Sequence, residues 1–286
     1  MKALTLQNLL IKVIILFGFI FTSFVCSPKQ EGTNNGNNTP EGNNTKEVKE
    51  TQNPDKKASS TDNIIIKTSD SKELSASYYY EQGKKDNSQP LVILVHQFKQ
   101  NKEQWKIDFI DSLVVAGFKV LTYDIRGHGK SSNVEYDLTK ILEDPDEAPN
   151  DIKAVFAWAK NEKGIDTARI GVMGTSIGGN LACYAALNLN AKVIVSVSNG
   201  KETFERFTGY DERMMGRPYF PKFKNALFIC GSKDGDHEQG IRWIADNFLE
   251  PPKEIKVYDS DKHGKALIDE FPEINELSIN WFKKYL

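Results

Sequence analysis

The sequence has 286 residues, which is enough for one large domain or two small ones with a sizeable core. Its formal net charge is −2 and its isoelectric point is near 6.2. This balance lacks the basic excess that is typical of proteins that bind nucleic acids, so we expect no nucleic-acid partner.

The first 26 residues differ in character from the rest. Lys2 and Lys12 precede an apolar stretch over Val13–Val25, and the stretch ends at Cys26. It is short for a membrane span of about 20 apolar residues and fits the apolar core of a signal peptide, which has about 7–15. Residues 27–63 contain almost no apolar side chain, which predicts a flexible, disordered polar tether.

A signal-like core, a cysteine and a polar tether in this order resemble the precursor of a bacterial lipoprotein. The resemblance implies that residues 1–26 are a signal peptide with a lipobox-like end and that Cys26 is lipidated and becomes the mature N-terminus. The protein would then be anchored to a membrane of the bacterial cell envelope, outside the cytoplasm. Val25 departs from the pattern, in which a small residue usually precedes the cysteine. The alternatives are an uncleaved N-terminal anchor and an ordinary secretory signal.

Residues 64–286 alternate between strand-like and helix-like segments. Two strands joined by a tight turn, IIIKTSD and LSASYYYE, come first, followed by continuous apolar segments such as LVILVHQ and FKVLTYD. Segments with apolar residues at helical spacing, such as NKEQWKIDFIDSLVVAG, lie between them. Strands that are apolar on both faces and alternate with helices predict one α/β domain, in which a mostly parallel sheet of about eight strands is flanked by helices.

The segment RIGVMGTSIGGNLACYAAL places Ser176 where a predicted strand turns into a predicted helix. A serine at the start of a helix is usually a cap. Here Gly174 and Gly178 flank it, and both leave room for the strained backbone that lifts a nucleophilic hydroxyl above a sheet. The pattern therefore favours a nucleophile.

In a parallel sheet the functional residues collect at the carboxyl ends of the strands. Ser176 follows the fifth predicted strand, Asp234 the seventh and His263 the eighth. A nucleophile, an acid and a base in this order have the chain order of the α/β-hydrolase triad, with GTSIG as the nucleophile elbow. Asp236 competes with Asp234 as the acid, but Asp234 comes sooner after its strand.

The remaining histidines and the cysteines point to structural roles. We expect His96 to support the loop after the third strand, His128 to shape the RGHG loop, and His237 to lie on the surface at the start of a helix. Cys183 and Cys230 are predicted to be small buried residues. The sequence has no CxxC and no HxxxH motif, so we predict no metal site and no cofactor.

Three further segments carry a family resemblance. DIRGHGKS at Asp124–Ser131 is similar to the DxRGxGxS loop of α/β-hydrolases, and GTSIGGNLA and KVYDSDKHG resemble lidless bacterial members. From residue 64 to 286 the chain resembles an α/β-hydrolase-fold serine hydrolase of the dienelactone hydrolase or esterase type, with little or no lid. Many relatives carry His-Gly after the third strand, whereas this chain has His96-Gln97.

The resemblance implies a mechanism. His263 would take the proton of Ser176 while Asp234 orients the imidazole. Ser176 would attack an acyl carbonyl and form an acyl-enzyme intermediate. The oxyanion would be held by backbone N–H groups, of Ile177 and of either Phe98 or Gln97.

The expected substrate is a small-molecule carboxylic ester or thioester of modest size. The segment between the sixth and seventh strands is too short for a multi-helix cap. Its apolar residues would either line an acyl pocket or cover the core; they are Phe204, Phe207, Tyr210, Met214 and Met215. The alternatives are a serine peptidase or amidase of the same fold, and a non-catalytic surface binding protein.

Overall fold

The computed structural model describes residues 59–211, 213 and 220–286. The predicted signal peptide, Cys26 and most of the predicted tether therefore lie outside the described residues, as do Met214 and Met215. Eight strands form one sheet: β1 (Ser60–Lys67), β2 (Glu73–Tyr80), β3 (Gln89–Val95), β4 (Lys119–Tyr123), β5 (Ile165–Thr175), β6 (Val193–Val197), β7 (Ala226–Gly231) and β8 (Lys253–Tyr258).

The strand order is β1-β2-β4-β3-β5-β6-β7-β8. The pairs β1–β2 and β2–β4 are antiparallel, and the pairs from β4 through β3 to β8 are parallel. The helices in the described residues are α1 (Ile107–Val115), α2 (Ala148–Asn161), α3 (Ile177–Asn188), α4 (Lys201–Thr208), α5 (His237–Phe248), α6 (Lys265–Glu270) and α7 (Glu273–Tyr285). The mostly parallel sheet with flanking helices confirms the predicted fold class.

Helices cover both faces of the sheet, and the strand sequences reflect this. Residues 91–95 of β3 are all buried, and successive side chains enter opposite cores. Leu91, Ile93 and Val95 pack with α2, α3, α4 and α5, whereas Val92 and Leu94 pack with α1, α6 and α7. A strand with two buried faces must be apolar at every position, and each such side chain contributes about 1.5–3 kcal/mol by burial. The carboxyl edge of the sheet is thereby held between two packed layers.

The folded domain begins earlier than the predicted boundary at Ile64. Strand β1 starts at Ser60, and its first four residues, Ser60–Asn63, pair with β2. The Asn63 Oδ1 accepts a hydrogen bond of 3.0 Å from Ser77 Oγ. The boundary was wrong because polar residues can extend an edge strand through cross-strand hydrogen bonds without an apolar signal.

The segment after β6 contains α4, and its aromatic side chains complete the core. Phe204 and Phe207 are buried, and the Phe204 ring packs edge-on against Phe248 of α5 at a centroid distance of 4.9 Å. Tyr210 contacts the rings of Phe220 and Phe248. Of the two alternatives, Phe204 and Phe207 therefore cover the core. Among the residues that the structure describes, we find no helix with the length and apolarity that crossing a membrane requires.

Candidate active site

Ser176 lies between the last residue of β5 and the first residue of α3, with φ 54° and ψ −118°. A side chain at positive φ is disfavoured, and such strain persists only where the surroundings hold the backbone. The Ser176 N–H donates to the Val197 carbonyl at 2.8 Å, and the Ser176 carbonyl accepts from Asn180 N–H at 3.1 Å. Strand β6 and helix α3 thus fix the serine from both sides.

The two glycines of the elbow are required by close backbone contacts. A Cβ at Gly174 would clash with the backbone of Gly178, and a Cβ at Gly178 would clash with the carbonyl of Val95. Strand β3, strand β5 and helix α3 therefore approach one another at these two residues. The two glycines of the GxSxG motif are therefore needed for this close packing as well as for the turn.

Asp234 and His263 form a hydrogen-bonded pair on the loops after β7 and β8. The His263 Nδ1 lies 3.0 Å from each carboxylate oxygen of Asp234. The Asp234 side chain is 8% exposed and that of His263 is 35% exposed. An Nδ1–H that donates to the carboxylate leaves Nε2 unprotonated and able to act as a base. Asp234 makes this contact, and its competitor Asp236 occupies the N-cap of α5.

Burial alone would raise the pKa of Asp234, but hydrogen bonds from His263 and Ser198 lower it below its usual range. The Ser198 hydroxyl also accepts a hydrogen bond of 3.0 Å from Gly264 N–H. Ser198, directly after β6, therefore connects two loops. These are the loop after β7 that carries Asp234 (the acid loop) and the loop after β8 that carries His263 (the base loop). A Cβ at Gly264 would lie 3.4 Å from Thr175 Cβ, so the base loop packs against the residue that precedes Ser176.

The structure brings Ser176, Asp234 and His263 to the same edge of the sheet. No described residue forms a hydrogen bond with the Ser176 hydroxyl, which leaves that oxygen available. Catalytic hydrogen bonds are often long before substrate binds, so this arrangement is compatible with a base at His263.

His237 opens helix α5 as predicted and is partly exposed, and it also lies beside the acid–base pair. Its side chain is 23% exposed, and its ring meets the His263 ring at a centroid distance of 4.7 Å. The His237 Nδ1 is 2.7 Å from the Asp234 carbonyl oxygen, because the first turn of α5 folds back over that residue. The Asp-x-x-His spacing at a helix start was the available signal. Asp234, His237 and His263 bring potential metal ligands within 4.8 Å, and the hydrogen bonds among them account for the cluster.

The candidate oxyanion donors differ in their availability. The Gln97 N–H donates to Gln104 Oε1 at 3.0 Å and is therefore engaged within the protein. In the part of the chain that the structure describes, no acceptor is found for the N–H groups of Phe98 and Ile177. Of the three candidates, these two N–H groups are therefore the ones without a described acceptor.

Two neutral histidines support the loop that carries Phe98. His96 is fully buried, and its Nδ1 and Nε2 pair with the Gln97 carbonyl and the Ile125 N–H. His128 Nε2 accepts a hydrogen bond of 3.0 Å from the N–H of Lys99, a residue with φ 62°. Burial lowers the pKa of His96 to about 4 and that of His128 below its usual range. Both contacts agree with the predicted structural roles.

A buried charge cluster in the loop after β4 was missed by the sequence reasoning. The Arg126 guanidinium is 1% exposed and pairs with Asp70, Glu147 and Asp151 at 2.7–2.9 Å. Asp124 accepts from both nitrogens of Lys102, at 2.7 and 3.0 Å. The DxRGxGxS pattern marks Asp124 and Arg126, but no spacing rule points to partners that lie on other elements.

The two cysteines in the described residues are free and buried. Burial raises the pKa of both the Cys183 and the Cys230 thiol to about 12. Neither forms the thiolate that a nucleophile requires.

Comparison with known proteins agrees with this geometry. Residues 90–231 match the sequence model of the family described as alpha/beta hydrolase fold, and solved structures with that architecture superpose on most of the chain. The chain has the α/β-hydrolase fold. Residues 90–231 include Ser176 and both candidate oxyanion loops; Asp234 and His263 lie beyond the match.

The relatives and the similar solved structures are distant. An uncharacterized 31.7 kDa protein in the traX-finO intergenic region of Escherichia coli is 35% identical over 108 residues, which is 37% of this chain and 36% of that protein. An acetyl xylan esterase from Paenibacillus sp. R4 superposes with a TM-score of 0.62 at 21% identity, covering 82% of this chain and 87% of the esterase. A dienelactone hydrolase from Anabaena variabilis gives 0.57 at 14% identity, covering 80% and 99%. Likeness at these identities shows the fold.

Proposed function

We propose that this protein is a serine hydrolase that cleaves carboxylic esters or thioesters of modest size through an acyl-enzyme intermediate. The observation that carries the proposal is the hydrogen bond from His263 Nδ1 to Asp234 at the same sheet edge as a strained serine whose hydroxyl has no described partner. A nucleophile, a base and an orienting acid on three loops of one sheet edge are the parts that acyl transfer needs.

In the proposed first step, His263 Nε2 takes the proton of the Ser176 hydroxyl as its oxygen attacks the acyl carbonyl. Asp234 holds the imidazole with Nδ1 protonated and stabilises the cation that forms. The imidazolium then gives its proton to the departing alcohol or thiol. Water deacylates the serine by the same route, with His263 again acting as base.

The proposed oxyanion hole consists of the backbone N–H groups of Ile177 and Phe98. Ile177 opens helix α3, so its N–H also benefits from the positive end of the helix dipole. Phe98 is favoured over Gln97 as the second donor, because the Gln97 N–H already donates to Gln104 Oε1. Two fixed donors at the developing charge account for a large part of such a rate enhancement.

The ester class draws support from the names of the structural relatives, an acetyl xylan esterase and a dienelactone hydrolase. The same triad can cleave amides, and the fold alone does not exclude a binding protein. We therefore propose p-nitrophenyl esters of increasing chain length as a test, with aminoacyl amides beside them. Preferential cleavage of an ester supports the proposal, preferential cleavage of an amide supports a peptidase, and cleavage of neither supports a binding protein.

The same assay tests the nucleophile. Ser176→Ala should lower kcat by roughly 10⁴–10⁶-fold and abolish labelling by a fluorophosphonate probe. Ser112→Ala serves as the matched control, because Ser112 is an exposed serine on helix α1. If the Ser176→Ala protein kept its esterase activity, the proposed function would be wrong.

We also propose that Cys26 is lipidated and holds the enzyme at a membrane of the cell envelope. One acyl chain gives only marginal membrane binding, whereas several chains anchor a protein stably. A flexible segment over residues 27–58 would have an r.m.s. reach of about 30 Å, enough to keep the site clear of the head groups. Full-length protein should enter the detergent phase of a Triton X-114 extraction, and Cys26→Ser should stay in the aqueous phase with unchanged activity. A Cys26→Ser protein that still entered the detergent would point to an uncleaved helical anchor.

A further inference from the structure

Gln97 connects the loop after β3 to the loop that carries His263. The Gln97 Oε1 accepts a hydrogen bond of 2.7 Å from the backbone N–H of Lys265, two residues after His263. Because an N–H can only donate, the accepting atom must be the amide oxygen, which fixes the orientation of the carboxamide. Gly264 leaves the space that this contact needs, since a Cβ there would clash with the same oxygen.

Gln104, in the 3-10 turn Lys102–Gln104, connects the same loop to the nucleophile elbow. Its Oε1 accepts from the Gln97 N–H at 3.0 Å, and its Nε2 donates to Thr175 Oγ1 at 2.9 Å. Gln104 is 7% exposed and Thr175 is fully buried, so water does not compete for these bonds. Thr175 is the residue directly before Ser176.

The direction of the Phe98 N–H follows from the same contacts. The Gln97 carbonyl and the Phe98 N–H belong to one planar trans peptide unit, so they point in opposite directions. The carbonyl accepts from His96 Nδ1 at 2.8 Å and from Gln100 N–H at 3.1 Å. With the side chain, the N–H and the carbonyl of Gln97 all bound, the peptide unit has little freedom to rotate and the Phe98 N–H stays aimed at one place.

We infer that Gln97 and Gln104, the glutamine pair, are positioning residues of the active site. This inference rests on the proposed function. The glutamine pair links three segments whose relative positions the proposed reaction requires to be fixed. They are the elbow at Ser176, the base loop at His263 and the loop that carries the oxyanion donor at Phe98. Neither glutamine touches the reacting atoms. Catalytic groups must be held within about 0.5 Å of their productive geometry, and a displacement of about 1 Å can lower the rate about 100-fold.

A double-mutant cycle tests the inference. Gln97→Met and Gln104→Met keep the length of each side chain and remove its hydrogen bonds. Each single change should lower kcat for a p-nitrophenyl ester by about 10–100-fold and leave KM within about 3-fold. Because the two residues act through one chain of bonds, the double variant should be no more than about 3-fold slower than the slower single variant.

Gln100→Met is the matched control. Gln100 lies in the same loop, and its side chain is exposed and outside the glutamine pair, so kcat and KM should equal those of the wild type. Circular dichroism and thermal melting establish that each variant is folded at the assay temperature. If a methionine variant does not fold, Gln97→Asn or Gln104→Asn replaces it, because each remains polar and is one methylene too short to reach its partner.

The outcomes separate this inference from the proposed function. A wild-type enzyme that neither hydrolyses esters nor reacts with the fluorophosphonate probe would overturn both. A wild-type enzyme that does both, with folded glutamine variants of unchanged kcat, would overturn the positioning role alone. Effects of the two changes on kcat that multiply, or losses confined to thermal stability, would also overturn it.

Discussion

Two regions at the carboxyl edge of the sheet each pair carboxylates with basic side chains, yet they differ in how completely their polar atoms are used. In the loop after β4, Arg126 is enclosed and bound by three carboxylates, and Asp124 is fully buried. In the loops after β7 and β8, Asp234 is bound on its inner side while His263 remains 35% exposed. A region whose charged groups all have partners serves as a structural support. A region with a partly exposed polar side chain remains accessible to a substrate.

The pKa values follow the same division. Burial alone would lower the pKa of Arg126, but the hydrogen bonds that its guanidinium donates to Asp70 and the attraction of Asp151 raise it, so its charge is permanent. The Asp234 carboxylate also stays charged, since His263 and Ser198 lower its pKa against the effect of burial. In the proposed mechanism the Asp234 charge also stabilises an imidazolium, which distinguishes Asp234 from the carboxylates around Arg126.

Among the changes that compare these two regions, the largest expected effect is on chemistry at Asp234. Asp234→Asn keeps the shape of the side chain and removes the charge that favours the Nδ1–H tautomer, so kcat should fall about 10⁴-fold. The measurement is ester hydrolysis, with urea unfolding to show that the protein remains folded. Asp236→Asn is the matched control, and its kcat should equal that of the wild type. A loss of activity in Asp236→Asn instead would reverse the assignment of the acid.

The next effect is on stability at Arg126. Arg126→Met leaves Asp151 buried without its cation, and breaking such a pair costs about 3–5 kcal/mol of the free energy of unfolding. Folded enzyme should keep kcat within about 3-fold, because the cluster supports the site from a distance. Urea unfolding and ester hydrolysis on the same samples check this.

Arg169→Met gives the comparison for Arg126, because the pair of Arg169 with Asp166 is exposed. Its removal should change the free energy of unfolding by less than about 1 kcal/mol. A large drop in kcat for Arg126→Met at full stability would contradict the division between the two regions.

A smaller effect depends on pH. Because the folded-state pKa of His96 is about 4 and its unfolded value is near 6.5, the unfolded chain binds the proton first as pH falls. The stability that the neutral, buried His96 contributes is complete above about pH 6.5 and is lost as the pH falls towards 4. Over this range the free energy of unfolding decreases by roughly 3 kcal/mol. Urea unfolding at several pH values measures the slope. His96→Asn cannot take up this proton and should have the flatter profile; equal slopes would show that His96 is not the group that titrates.

The smallest effect is expected at His237. His237→Phe keeps a ring against His263 and removes the hydrogen bond to the Asp234 carbonyl. We expect a loss of about 1 kcal/mol in the free energy of unfolding and a kcat within about 3-fold of the wild type. A kcat lowered by more than 10-fold would instead assign His237 a role in the reaction beside Asp234 and His263.

The strands and the order of Ser176, Asp234 and His263 could be predicted because apolar periodicity is local and parallel strands bring their carboxyl ends to one edge. The partners of buried polar groups could not. Gln97 meets Lys265, which is 168 residues away, and Arg126 meets Asp70, which is 56 away. Such contacts depend on which loops the fold places together, and single residues along the chain carry no signal of them. The start of β1 was missed for a related reason, since cross-strand pairing made polar residues part of a strand.

The positive φ of Ser176 has a consequence for how sequences change. A serine in this conformation costs of order 1–3 kcal/mol, and a glycine would adopt it without that strain. Random drift under selection for folding alone would therefore replace Ser176 by glycine and gain stability. If Ser176 is the nucleophile proposed above, selection on function and selection on folding act in opposite directions at this residue.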